Sequence, residues 1–130
     1  MNLEIKEEDR IDELIHRLAR RFSRPAALDR VLFSSFRSSD LERLRAALPH
    51  ARLGWLVSRS SRGLTGLNRS VGLAALHPKE PLVSGRLVKR CRRLGLAVHT
   101  WVVNQARRIG ELEALGVDGV MTDDPRLFTM

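Results

Sequence analysis

Glu4 and Lys6 stand two residues apart in the run Leu3-Glu4-Ile5-Lys6, in which apolar and charged residues alternate. Alternation of this kind predicts a short strand, and residues i and i+2 of a strand point to one side. The pattern therefore puts a carboxylate and an ammonium on one face. A carboxylate oxygen suits a hard cation, and an ammonium suits a phosphate. With only this pair in view, a solvated edge strand explains the pattern as well. The other residues at predicted strand ends are Ser34 to Phe36, His77, Trp101 to Asn104, and Thr122 to Asp124. In parallel α/β folds ligands gather at the C-terminal ends of strands, so these positions carry the chemistry if any do.

The four histidines and the one cysteine are weaker candidates. His16 falls within a predicted helix and His50 follows Pro49 in a turn, so both belong on the surface. His77 ends a strand, and His99 precedes Trp101 by two residues and shares its face. Packing or hydrogen bonding is the expected role of both, with His77 at best touching a phosphate. Cys91 lies in Lys89-Arg90-Cys91-Arg92-Arg93 at a periodic position between Val88 and Leu94, which predicts a core-facing thiol. A single cysteine permits no disulfide within the chain and no cysteine metal cluster, which suits a reducing cytoplasm.

These residues need elements to position them. The first strand is followed by a helix carrying Ile11, Leu14, Ile15, Leu18 and Phe22, with the acidic run Glu7-Glu8-Asp9 suited to its N-terminal dipole and Pro25 beyond its end. Val31 to Ser35 predicts a second strand. Ser39 with Glu42 reads as a capping box for a helix carrying Leu41, Leu44 and Leu48. Leu53 to Val57 predicts a third strand, Ser58 to Ser70 a loop with at most a weak helix, and Val71 to Leu76 a fourth strand. A helix through Val83, Leu87, Val88, Cys91 and Leu94 ends at a left-handed Gly95. Leu96 to Val103 predicts a fifth strand, and Asn104 caps a helix ending at Gly116. Val117 to Thr122 is the sixth strand, before a short helix opened by Asp123-Asp124-Pro125. Alternating strands and helices imply parallel βαβ units, and periodicity alone fits an open doubly wound sheet as well as a (β/α) barrel.

The 130 residues allow one domain, and 43% apolar residues suffice for a core. No apolar run reaches the roughly 18 to 20 residues of a membrane span. The net charge of +8, from 23 Lys and Arg against 15 Asp and Glu, is compatible with anionic ligands. Arg17, Arg20, Arg21 and Arg24 interleave with Ile15, Leu18 and Phe22 as on an ordinary amphipathic helix, without the aromatic stacking residues of single-strand binders, so nucleic acid is not an expected partner.

Order and spacing add a resemblance. After Leu3-Glu4-Ile5-Lys6 come Ser34-Ser35-Phe36, Gly54-Trp55-Leu56, Trp101-Val102-Val103-Asn104, and Gly116-Val117-Asp118-Gly119-Val120-Met121-Thr122-Asp123-Asp124-Pro125. The sequence resembles glycerophosphodiester phosphodiesterases, which carry in this order an "IEIK"-like strand, a strand ending "SSF", a glycine-plus-apolar strand, "WTVN" and "GVDGIITDxP". The closing block is the most specific. The resemblance implies a (β/α)8 barrel of which residues 1–130 would form the C-terminal portion: a single domain, a partial TIM-type barrel of about six parallel strands with intervening helices. It implies Glu4 as a metal-ligand carboxylate, Lys6 near the substrate phosphate, Trp101 on the glycerol side of the pocket, and Phe36 lining the same pocket. Val102 stands where the family has threonine. The implied reaction, in lipid and glycerol metabolism, converts a glycerophosphodiester and water to sn-glycerol 3-phosphate and an alcohol, with a divalent cation, Ca²⁺ or Mg²⁺, as cofactor.

The "HRG…PENT" block, the acidic strand and the "HD" block that supply the family's catalytic histidines and further metal ligands have no counterpart here. No residue of this chain is therefore expected to be catalytic, and a single carboxylate does not hold a hard cation that wants about six oxygens. The expectation is a truncated family member, inactive alone, in the cytoplasm. The alternative is a non-catalytic module that binds phosphate ligands or pairs with another subunit, because six strands leave two open edges that favour a homo-oligomer. Expected ligands are glycerophosphodiesters or glycerol phosphate.

Overall fold

The computed structural model describes residues 1–6 and 9–128. Glu7 and Glu8 of the expected acidic run lie outside the described residues. The elements in chain order are β1 (Asn2–Glu4), α1 (Ile11–Arg21), α2 (Pro25–Leu28), β2 (Leu32–Ser35), α3 (Ser38–Ala47), β3 (Arg52–Val57), α4 (Leu64–Val71), β4 (Ala75–Pro78), α5 (Gly85–Arg93), β5 (Ala97–Thr100), α6 (Ala106–Leu115) and β6 (Gly119–Val120). Single 3₁₀ turns follow β4 at Glu80–Leu82 and β6 at Pro125–Phe128. The contacts divide the chain into two compact units, Met1–Leu56 with Gly63–Ala74, and Val57–Arg62 with Ala75–Met130.

In the first unit β1, β2 and β3 pair in parallel, with Glu4 opposite Ser34 and Ser35 opposite Trp55. All four residues of β2 are buried, as a strand covered on both faces requires. Phe33 meets the ring of Phe22 edge-on at a centroid distance of 5.5 Å, fixing the end of α1 against the sheet. Ile11 and Ile15 of α1 and Leu41 and Leu44 of α3 turn inward, the apolar stripe that helical spacing demands.

Three local expectations differ from the structure. The stretch Ser58 to Ser70 is not merely a loop: Leu64, Leu67 and Val71, spaced by three and four, are all buried on one face of α4. Val71 accordingly ends a helix and does not begin a strand, and β4 starts at Ala75. The switch is made at Gly72, whose φ of +67° is a conformation that costs glycine nothing. The side chain of Asn68 then accepts the Leu73 N–H at 2.9 Å, closing the turn. The Ser39–Glu42 capping box is also absent: α3 begins at Ser38, and no side chain of its N-cap residue Arg37 caps it.

In the second unit β4, β5 and β6 pair in parallel, with Ala75 opposite Ala97 and His99 opposite Gly119. Val83, Val88, Val103 and Leu112 form its buried cluster, with Ile109, Val117 and Val120 packed against it. Gly95 ends α5 at φ +73°, as the spacing predicts. The sixth strand shortens from Val117–Thr122 to two residues, and Asp118 just before it accepts the Val98 N–H on its carboxylate at 2.8 Å.

Candidate functional site

In the first unit Glu4, Ile5, Lys6, Ser35, Phe36 and Arg37 line an open cavity of about 190 Å³. Ile5 is buried, and its N–H donates to the Ser34 carbonyl at 2.7 Å, so the chain continues the β1 direction past Glu4. Glu4 and Lys6, on either side of Ile5, are exposed to the cavity, as the alternation predicts. Phe36 is 44% exposed, and its carbonyl accepts the Trp55 Nε1–H at 3.2 Å. Three of the four predicted site residues thus share one cavity.

Asp40 holds this loop from below. It is only 1% exposed. Its Oδ2 accepts the Ser35 hydroxyl at 2.7 Å and the Arg37 Nε–H at 3.1 Å, while the Ser35 Oγ accepts the Arg37 backbone N–H at 3.1 Å. A carboxylate in the first turn of α3 suits the helix dipole and ties the strand end to the helix through Ser35 and Arg37. Neither Arg37 nor Asp40 was picked out by the sequence reading. The available signal was an acid in the first turn of a helix just after a serine-rich strand end.

A divalent cation does not fit the donors present. Among the described residues Glu4 is the one carboxylate lining a cavity that also presents Lys6 and Arg37, whereas Ca²⁺ and Mg²⁺ require about six oxygens. Among the described residues no group of three or more His, Cys, Asp or Glu side chains is placed to hold a metal.

The fourth predicted residue, Trp101, belongs to the second unit. Its Nε1–H donates to the His77 carbonyl at 2.8 Å, its backbone N–H to Pro78, and its carbonyl accepts the Glu80 N–H at 2.8 Å. The β4–β5 pairing therefore continues beyond both strands through a bridge between Lys79 and Trp101. His99 Nδ1 lies 3.1 Å from His77 Nε2. His77 is fully buried, its Nδ1 has no hydrogen-bond partner among the described residues, and burial first, then the neighbouring charge of His99, pushes its pKa down to about 4. His77 is thus a neutral buried ring. His16 and His50 are exposed.

Asn104 is not the cap of α6; Gln105 takes the N-cap position without a side-chain bond. The Asn104 amide instead accepts from Thr122 Oγ1 at 2.9 Å and the Asp123 N–H at 3.0 Å, and donates to the Asp123 carboxylate at 2.9 Å. It ties the segment after β5 to that after β6. A second cavity, of about 370 Å³, is lined by Glu80, Val102, Val103, Asn104, Gln105 and Arg108, with Arg108 ion-paired to Glu80 and Glu111.

Residues 1–127 match the model of the glycerophosphoryl diester phosphodiesterase family. The chain belongs to this family. A glycerophosphodiester phosphodiesterase of Caldanaerobacter subterraneus is 28% identical over 97 residues, covering 75% of this chain and 40% of that relative. Among solved structures, a candidate glycerophosphoryl diester phosphodiesterase from Silicibacter pomeroyi superposes with a TM-score of 0.82 at 26% identity, over 98% of this chain and 49% of the other. An Oleispira antarctica phosphodiesterase in complex with the product sn-glycerol-3-phosphate gives a TM-score of 0.83 at 23% identity, over 98% and 53%. The chain therefore spans about half the length of the relatives it matches, or less. Its fold is the family's: a portion of a (β/α) barrel with six strands and intervening helices, as the sequence led one to expect.

Proposed function

We propose that this chain binds the glycerol phosphate portion of a glycerophosphodiester, as part of a protein that hydrolyses such diesters to sn-glycerol 3-phosphate and an alcohol. The observation that carries this reading is the cavity shared by Glu4, Lys6 and Phe36 in a chain of this family. The Lys6 ammonium faces the phosphate, and Phe36 supplies an apolar wall. Trp101, in the second unit, is carried as a glycerol contact by the family resemblance alone, its indole held by the His77 carbonyl. Glu4 is the residue that would face a divalent cation of the family's chemistry, which the described residues alone do not hold. No histidine of the chain is assigned acid or base duty: His77 is buried and neutral, His99 is hydrogen-bonded to it, and His16 and His50 are on the surface.

Self-association through sheet edges is part of this proposal. Within its unit β1 pairs with β2 on one side, and its other edge presents backbone groups suited to another strand. A reducing cytoplasm as its location is supported by the single, buried Cys91. Among the described residues no helix is long and apolar enough to cross a membrane.

The test is titration calorimetry with sn-glycerol 3-phosphate on the chain and on Lys6→Ala and Trp101→Ala. Millimolar binding that both substitutions weaken is the expected result. Binding that neither affects would remove the basis for the assignment.

A further inference from the structure

We infer that the outer face of α5, bearing Arg86, Lys89 and Arg93, docks on an anionic phospholipid surface. This face is independent of the Glu4–Lys6–Phe36 cavity. The helix carries Arg86, Lys89, Arg90, Arg92 and Arg93 and no acidic residue. Leu87, Val88 and Cys91 are buried, while Arg86, Lys89 and Arg93, spaced by three and four, are exposed and share one face.

The fold does not call for these charges. Arg86 stands in the first turn, where a cation opposes the helix dipole, and like charges three and four residues apart repel each other. Elsewhere exposed arginines meet carboxylates: Arg10 and Arg17 share Glu13, Arg107 and Arg108 share Glu111, and Arg126 faces Asp124. Arg92 is taken up by the Gly116 carbonyl at 3.3 Å. Among the described residues no carboxylate pairs with the side chain of Arg86, Lys89 or Arg93, and no hydrogen bond engages it. The stripe therefore weakens α5 without a compensating contact among the described residues, which points to an anionic partner. Seven residues of helix span about 10 Å, close to the Debye length in about 0.1 M salt, so the three charges act together on a flat anionic surface. Lipid headgroups supply such a surface, and each Lys or Arg near it adds to the attraction. Nucleic acid is the poorer match, because α5 carries no aromatic residue to stack on bases and no Asn or Gln to read them.

The experiment sediments the full chain with vesicles of equal parts phosphatidylglycerol and phosphatidylcholine and with vesicles of phosphatidylcholine alone, and measures binding of a random-sequence DNA duplex in parallel. One triple variant combines Arg86→Gln, Lys89→Gln and Arg93→Gln. A control combines Arg10→Gln, Arg17→Gln and Arg107→Gln, which removes as much charge from arginines that already have carboxylate partners. The parent chain should bind the anionic vesicles and not the neutral ones, more weakly as salt rises. At about fivefold for each cation, the stripe variant should lose on the order of a hundredfold in vesicle affinity, and the control far less. Relief of like-charge repulsion should leave the stripe variant melting no lower than the parent. Where it does melt lower, the single exposed change Lys89→Glu keeps the test open, with a loss of more than about fivefold expected. A parent chain that ignores anionic vesicles, a stripe variant that binds them as the parent does, or equal losses in the stripe variant and the control would overturn the inference. Stripe-dependent binding of the duplex that is tighter than binding of the vesicles would assign the face to nucleic acid and overturn it equally.

Discussion

His99 Nδ1 lies 3.1 Å from His77 Nε2, so two imidazoles share a hydrogen bond in which one ring donates and the other accepts. A proton added to His77 has to be accommodated in a buried site beside His99. The His77 pKa accordingly falls from 6.5 to about 4, chiefly through burial and then through His99. The unfolded chain, with its imidazole at the ordinary value, binds the proton first. Stability contributed by neutral His77 is therefore complete above about pH 6.5 and is lost as the pH drops toward 4. At about 1.4 kcal/mol per unit the loss amounts to roughly 3 kcal/mol. Thermal melts between pH 7.5 and 4.5 should show this decline, and His77→Asn should flatten it. An unchanged slope in the variant would assign the acid sensitivity to other groups.

The Cys91 thiol should be inert in the folded protein. It is wholly buried, and burial pushes its pKa up to about 11, against the smaller lowering by Arg90 and with a further push from Asp118. The thiolate is the reactive species, so at pH 8 its fraction is on the order of one in a thousand. An aromatic disulfide reagent should label the native chain slowly and the urea-unfolded chain at once. Rapid native labelling would mean that α5 opens readily.

Arg45 should be worth more to stability than its position on a helix surface suggests. Its guanidinium donates to the Val71, Pro49 and Gly72 carbonyls at 2.6, 2.7 and 2.9 Å, and to Leu48 at 3.5 Å, closing the ends of both α3 and α4. These are carbonyls that helix termini leave without partners. Arg45→Ala should cost about 2 kcal/mol. Arg45→Lys should recover little, because a point charge does not span several acceptors. Equal melting temperatures for Arg45→Ala and the parent chain would show that water replaces the guanidinium at no cost.

The strands and helices were legible where a periodic apolar pattern was bounded by a breaker, as at α1 before Pro25, α5 before Gly95 and α6 before Gly116. The pattern misled where the breaker, Gly72, sits inside an apolar run. Val71 to Leu76 reads as one apolar run, yet Val71 completes the α4 stripe and Ala75 opens β4. Glu4, Lys6 and Phe36 were legible as neighbours because a two-residue repeat and a strand end fix which way side chains point. Asp40, Arg45 and the Asn104–Thr122 bond were not, because each depends on contacts across 5 to 27 residues of sequence that only tertiary structure sets.

Among the described residues Glu4 is the one carboxylate in a cavity shared with Lys6 and Arg37, so these residues offer neither Ca²⁺ nor Mg²⁺ the oxygen donors it needs. A ligand stabilises a fold only insofar as its concentration approaches its dissociation constant. Millimolar Ca²⁺ or Mg²⁺ should therefore shift the melting temperature by less than about 1 °C. Acid-base catalysis contributes about 10² to 10⁴ in rate for each positioned group, and this chain presents no exposed histidine in the Glu4–Lys6 cavity. Groups that act as a unit fail as a unit, so the isolated chain should release no glycerol 3-phosphate from glycerophosphocholine in a coupled assay, with or without either cation. A Glu4→Ala, Lys6→Ala double variant run alongside fixes the background. Turnover by the parent chain that the double variant abolishes would show that these residues sustain chemistry without the missing histidines, and a cation-dependent rise in melting temperature lost with Glu4 would show that the cation is held after all.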